Sequence, residues 1–261
     1  MKKALSAALA FAAIGAFAIS PVDIAPDGVF DRGDVVLFIG DSITHGGRMG
    51  DMNHYLGHGY QAEIASRYIG YRPEMNLCFF NRGISGDNTV KLLARWERDV
   101  FGLRANENGW AAVFPERTGV QKPNVVSLMT GVNDFRSRPA EAGPGGITLE
   151  SYAANLEKLI VKTRCALPDA RIVICEPFNL VAGEEDEFAP WRKAARDAAA
   201  RHGLCFVDFQ RLFDEVLLKE NPNRGYWFWD RYHPTYAAHI RMADWWIARV
   251  RAFRTHQSNL Q

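Results

Sequence analysis

Five short stretches of this chain, residues 35–39, 76–80, 125–130, 171–176 and 204–208, are apolar nearly from end to end and rich in Val, Ile, Leu and Phe. A strand without polar–apolar alternation is buried on both faces, the condition of a parallel sheet covered on each side by helices. Residues 60–69, 89–100, 149–166 and 189–202 separate these runs and carry apolar residues at three- and four-residue intervals, and residues 234–252 follow as a last helix. The expected fold is therefore α/β, a three-layer α/β/α sandwich around a doubly wound five-stranded parallel sheet. In such sheets ligands bind outside the carboxyl ends of the strands, so residues just after the apolar runs are the ones to examine.

Composition narrows the classes. With 261 residues, 48% of them apolar, and a net charge of +1, the chain can bury one substantial core and shows no basic face for phosphate neutralisation, so no nucleic-acid partner is expected. Lys2, Lys3 and the Ala-rich stretch from Ala4 to Ile19 read as a signal peptide over residues 1–20, with Ala16-Phe17-Ala18 as a small-x-small cleavage pattern. The stretch is shorter than the roughly 20 residues of a spanning helix, so export to the periplasm or exterior without a stable membrane anchor is expected, with 21–261 as one domain. Cys78, Cys175 and Cys205 lie inside strand-like runs and read as buried free thiols, while a pairing of Cys165 with one of them stays open. Residues 48–59, 102–122 and 139–147 read as surface excursions near the site, and the tail 255–261 as frayed.

The first run leads directly into Gly40-Asp41-Ser42-Ile43-Thr44, which stands a serine hydroxyl where a buried strand ends. A serine needs a base to take its proton, and an imidazole oriented by a carboxylate supplies one. Asp230-Arg231-Tyr232-His233-Pro234 offers both within one turn, Asp230 to orient His233 and His233 to face Ser42. Taken alone, that pentapeptide would more often cap a surface helix, and it is the strand-end serine that reverses the balance. Donors for a developing oxyanion are available as the amide of Ser42, the amide of Gly83 in Asn81-Arg82-Gly83, and the side-chain NH2 of Asn133 in Gly131-Val132-Asn133-Asp134. Asp134 reads as structural, His202 and His239 as solvated or locally bonded, and His45 as a substrate contact.

Together these blocks resemble the SGNH, or GDSL-type, hydrolase superfamily. Its four blocks contribute a serine, a glycine, an asparagine and a histidine, and Gly-Asp-Ser-Ile-Thr from Gly40, Asn-Arg-Gly-Ile-Ser-Gly-Asp from Asn81, Gly-Val-Asn-Asp from Gly131 and Asp-Arg-Tyr-His-Pro from Asp230 match them in order. The resemblance implies a flavodoxin-like SGNH hydrolase fold, a catalytic trio of Ser42, Asp230 and His233, an oxyanion hole of Ser42, Gly83 and Asn133, and no cofactor. Gly33-Asp34-Val35-Val36 also looks like a bacterial branch associated with deacetylating carbohydrates. Two features depart from the plainest members, the length of segment 102–122 and the pair His54 and His58. At that spacing the histidines would bind metal on a helix, but Gly57 and Gly59 interrupt one and no third ligand is evident, so a rim or packing role is expected.

The aromatic run Tyr226, Trp227, Phe228, Trp229 precedes the acid–base turn and either lines the approach to Ser42 or seals the last helix. The substrate-contact candidates are His45, His54, Arg82, Trp227 and Trp229. Arg48, Asp51, His54, Arg104, Glu107, Arg136 and Arg138 make the expected rim polar, which favours a small acyl group, chiefly acetyl, on a small-molecule or glycan carrier. The alternatives are a longer-chain esterase or lysophospholipase, and a carbohydrate-binding or acyltransferring relative that does not hydrolyse.

Overall fold

The computed structural model describes residues 28–49, 55–104, 119–179 and 186–259. The signal-type segment 1–20 lies outside them. Five strands form one sheet, β1 (Val35–Gly40), β2 (Cys78–Asn81), β3 (Val125–Met129), β4 (Arg171–Cys175) and β5 (Cys205–Val207). Their order is β2-β1-β3-β4-β5 with every pairing parallel. Each strand matches a run read from the sequence. The second starts two residues late because Asn76, at φ 49°, takes the left-handed conformation that ends the preceding turn.

The helices with a bearing on the site are α1 (Ser42–His45), α2 (Tyr60–Tyr71), α3 (Thr89–Trp96), α4 (Val132–Arg136), α5 (Leu149–Ala166), α6 (Ala189–Arg201) and α7 (Tyr236–Ser258). Because right-handed crossovers run from β1 outward to β2 and then back through β3 to β5, α2 falls on one face and α3, α5 and α6 on the other. The last helix packs on α2 and β5, completing the first face. All of β1, β2 and β3 is buried, as strands covered on both sides must be. Fully buried side chains such as Leu37, Phe38, Phe79 and Phe80 each contribute roughly 1.5–3 kcal/mol of transfer free energy.

Several boundaries depart from expectation. The helix expected over 89–100 keeps α geometry only to Trp96, and Glu97–Phe101 forms a wider π turn. Pro234 does not open the last helix. It bridges Phe228 in an antiparallel pair, and Thr235 caps the helix through its side chain, which accepts from the Ala238 amide. That helix also continues through Thr255 to Ser258, so the tail is not frayed up to there: Arg254 binds the Asp31 carboxylate at 3.0 and 3.1 Å and donates to the Val29 carbonyl. Two helical pieces, Phe209–Arg211 and Arg224–Trp227, are too short to show a period. None of the four cysteines is in a disulfide, and Cys165 is exposed while the others are buried. No helix among the described residues is long and apolar enough to cross a membrane.

Candidate active site

The strand order reverses between β1 and β3, and the carboxyl ends of those two neighbours deliver Ser42 and Asn133 side by side. Gly40 is obligatory there, since a Cβ would sit 2.1 Å from the Met129 carbonyl oxygen of β3. Asp41 then caps α1, its Oδ1 accepting from the Ile43 amide at 3.0 Å, which places Ser42 at the first helical position. An amide at that position has no partner within its own helix.

Ser42 Oγ lies 2.8 Å from His233 Nε2. His233 Nδ1 lies 2.8 Å from Asp230 Oδ2, and Asp230 Oδ1 accepts from the amides of Tyr232 at 2.7 Å and His233 at 2.9 Å. Outside this turn the Phe228–Pro234 bridge holds its two arms, with the Trp229 amide donating to the His233 carbonyl and the Thr235 amide to that of Trp227, both at 2.9 Å. Partial desolvation pushes the Asp230 carboxyl up, but the bonds from His233 and the two amides outweigh it and hold the group below its ordinary range. An ionised Asp230 keeps the Nδ1 proton of His233 in place and leaves Nε2 as the acceptor facing the serine.

The structure separates the glycines of the second block. Gly83 is buried, its amide donates to Asn81 Oδ1 at 2.8 Å, and a Cβ there would lie 2.3 Å from the His45 nitrogen. The amide is already spent and the missing side chain is needed for packing against α1, so Gly83 does not supply an oxyanion donor. Asn81 itself does more than its turn position suggested. Its NH2 donates to the carbonyls of Thr44 at 2.8 Å, His45 at 3.2 Å and Leu56 at 2.9 Å, clamping the end of α1. Three residues beyond Gly83, Gly86 occupies an exposed turn at φ 80°, closed by the Asp87 amide on the Ile84 carbonyl. The neighbouring Asp87 carbonyl accepts from Asn133 Nδ2 at 2.8 Å, which sets Asn133 beside that turn and leaves the second NH2 hydrogen of Asn133 unspent. The repeat of glycine within Gly-Ile-Ser-Gly was the available signal.

Asp134 does hold structure. It accepts from the Thr89 amide at 3.0 Å and the Thr89 hydroxyl at 2.5 Å, and burial pushes its carboxyl up to about 6. His239 is neither solvated nor locally bonded: it is buried, its Nδ1 accepts from the Tyr60 amide at 3.1 Å, and desolvation lowers its pKa to about 3. His202 pairs with Glu157 away from the site.

Among the substrate-contact candidates, two are corrected by burial. The Arg82 guanidinium is buried and donates to the carbonyls of Asn81 and Arg104, and Trp227 is in the core with its indole N–H on the Asn221 carbonyl. Trp229 is 69% exposed and meets Tyr236 edge-on. His45 is half-buried, with Nδ1 accepting from the Gly47 amide, and burial lowers its pKa, reinforced by Arg48 and His58. His54 lies outside the described residues, as do Asp51 and Glu107 of the expected rim.

A sheet of this order with a serine–histidine contact at its switch point defines a hydrolase of the SGNH type, and comparison with known proteins agrees. Residues 38–240 match the GDSL-like Lipase/Acylhydrolase family, and the chain belongs to that family and is a carboxylic ester hydrolase. It is 31% identical over 228 residues to an acetylxylan esterase of Geobacillus stearothermophilus, covering 84% of this chain and 94% of that protein. The crystal structure of an acetylxylan esterase from the same organism superposes with a TM-score of 0.68 at 29% identity, over 84% of this chain and 95% of that one. An alpha/beta hydrolase enzyme from the metagenome of Lake Arreo, Spain, gives 0.71 at 28% identity over 85% and 97%.

Proposed function

We propose that the protein is an acetylesterase acting on carbohydrates through an acyl-enzyme on Ser42. The observation that carries the reading is the pair of 2.8 Å contacts linking Ser42 Oγ, His233 and Asp230. His233 Nε2 takes the serine proton as Oγ attacks the ester carbonyl, then returns it to the departing sugar oxygen. Water attacks the acetyl-enzyme by the same route, its proton passing to His233 and on to Ser42, with acetate released. The tetrahedral oxyanion is held by the amides of Ser42 and Gly86 and by Asn133 Nδ2, each donor worth roughly 10²–10³ in rate.

The acetyl-sugar assignment is supported by the acetylxylan esterase relative, among whose characterised forms are catalytic mutants with a serine or an aspartate changed to alanine. It is also supported by the exposed Trp229 face one residue before Asp230, since flat aromatic surfaces suit the apolar faces of sugar rings. The test is acetate release from acetylated xylooligosaccharides. Wild type should release acetate, whereas Ser42→Ala and His233→Ala should not while keeping a native circular dichroism spectrum. Higher kcat/KM on p-nitrophenyl octanoate than on the acetate would favour the longer-chain esterase instead. Export follows from the same reading, and the mature protein's N-terminal sequence, expected to begin near residue 21, checks it.

A further inference from the structure

Beside the Asp230–His233 turn is a polar cleft of about 360 Å³ lined by Arg136, Arg138, Glu141, Arg231 and Tyr232. It shares a wall with the site on two sides. Arg136 ends α4, the helix that carries Asn133, and Arg231 and Tyr232 stand between Asp230 and His233. The three guanidiniums are not equivalent. Arg138 is saturated: it pairs with Glu187 at 2.8 Å and Glu141 at 3.2 Å and lies 3.9 Å over the Phe135 ring. Arg136 rests over Tyr232 at 5.3 Å, and among the described residues no carboxylate pairs with Arg136 or with Arg231. Arg136 and Arg231 are two forks without a directly paired carboxylate in one small cleft, whose nearby acids are Glu141 and Glu187 on Arg138 and Asp230 on His233.

We propose that this cleft is a subsite for a sugar carboxylate, so that the enzyme prefers acetylated acidic glycans, those bearing a uronic acid on or next to the acetylated residue, over neutral ones. Guanidinium forks match a planar carboxylate through paired N–H donors, whereas the hydroxyls of a neutral sugar would be served as well by amides and carboxylates. Stacking on Tyr232 pre-orients Arg136, and Arg231, next to Asp230 in the chain, keeps the second fork near the acid–base turn. This inference rests on the carbohydrate reading above but can fail separately from it.

The experiment measures binding without turnover. Full-length Ser42→Ala protein is titrated calorimetrically with tetragalacturonate and with xylotetraose, neither of them acetylated. The acidic ligand should bind roughly tenfold tighter at low salt, the sum of two exposed charge pairs, and that advantage should largely vanish at about 0.5 M salt. Adding Arg136→Gln and Arg231→Gln should bring the two dissociation constants together, and restoring both as lysines should recover part of the gap. Equal affinities before those changes, or a gap that survives both of them, overturns the subsite. Acetate release from acetylated substrates by the protein with Ser42 intact then tests the esterase reading on its own: no release together with a retained binding gap sinks that reading and leaves the subsite standing.

Discussion

Asp41 shows how much the nucleophile's position depends on a neighbour that never meets substrate. It is 1% exposed, one carboxyl oxygen accepts from the Ile43 amide, and the other, Oδ2, is buried with no hydrogen-bond partner. A charge in that setting is costly, and burial pushes the pKa up to about 7, with the nearby Asp134 and Asp87 adding to the rise and the Ile43 amide and His233 opposing it. Between its unfolded value of 3.8 and that folded value, the folded chain holds a proton that the unfolded chain has released. Stability from this group is therefore full below the unfolded value and falls as pH rises toward 7. Asp41→Asn keeps the capping oxygen and removes the titration, so the loss of Tm from about pH 5 to about pH 8 should be smaller than in wild type. An undiminished loss would mean the slope arises elsewhere. Across the site, if Asn133 donates to the oxyanion as proposed, Asn133→Ala should lower kcat by roughly 10²–10³ with little change in KM, because the lost donor acts only where charge develops. A near-normal kcat removes Asn133 from the oxyanion hole.

Helix α3 is the element that braces the serine turn from below. Arg95 is buried with Asp87 at 2.6 Å and Asp99 at 2.5 Å, and its Nη2 donates to the Gly40 carbonyl at 3.2 Å, one residue before Asp41. Removing the cation would strand the buried Asp87 carboxylate and leave Asp99 with Arg98 alone, at 2.6 and 3.1 Å, and breaking a buried pair in this way costs about 3–5 kcal/mol. Arg95→Leu should therefore lower Tm by about 10 °C or more, judged from the usual 2–4 °C per kcal/mol in a chain of this size. A shift of only a degree or two would show that the carboxylates find other partners. Nothing in the residue pattern of 89–100 announced this network, since Arg95 there reads as one more polar position on an amphipathic helix. The strands were legible for the opposite reason: a doubly covered strand is apolar at nearly every position, and β1 to β5 carry a polar side chain only at Asn81, Ser127 and Arg171. Helices as short as Phe209–Arg211 carry no period to read. Similarly, it is tertiary contact that buries Gly83 with its amide on Asn81 and leaves Gly86 exposed in a turn, and that turns Trp227 inward and Trp229 outward.

For the whole molecule, topology explains why four blocks scattered from Gly40 to Pro234 were readable as one site. An order of β2-β1-β3-β4-β5 sends the loops after β1, β2 and β3 to a single edge, so residue type at a strand end is enough to place Ser42, the Asn81 turn and Asn133 together. The fourth block depends on a longer lever. His233 sits at the front of α7, whose far end is fixed across the molecule to the start of the domain: Arg254 grips Asp31 and the Val29 carbonyl, and Phe253 packs against the core. Arg171 joins the same corner through Asp34, Asp31 and the Val29 carbonyl. Deleting residues 256–261 removes none of these contacts and should leave Tm and esterase activity as they are. Deleting residues 253–261 removes the ion pair, worth well under about 1 kcal/mol at its exposure, and the Phe253 contact, worth roughly 1–2 kcal/mol. Tm should then fall by about 5 °C. If α7 acts as a lever, p-nitrophenyl acetate turnover should also decline well below the new Tm, because the Ser42–His233 contact loosens before the sheet melts. Turnover that tracks the folded fraction alone would show that the Phe228–Pro234 bridge holds His233 without help from the helix's far end.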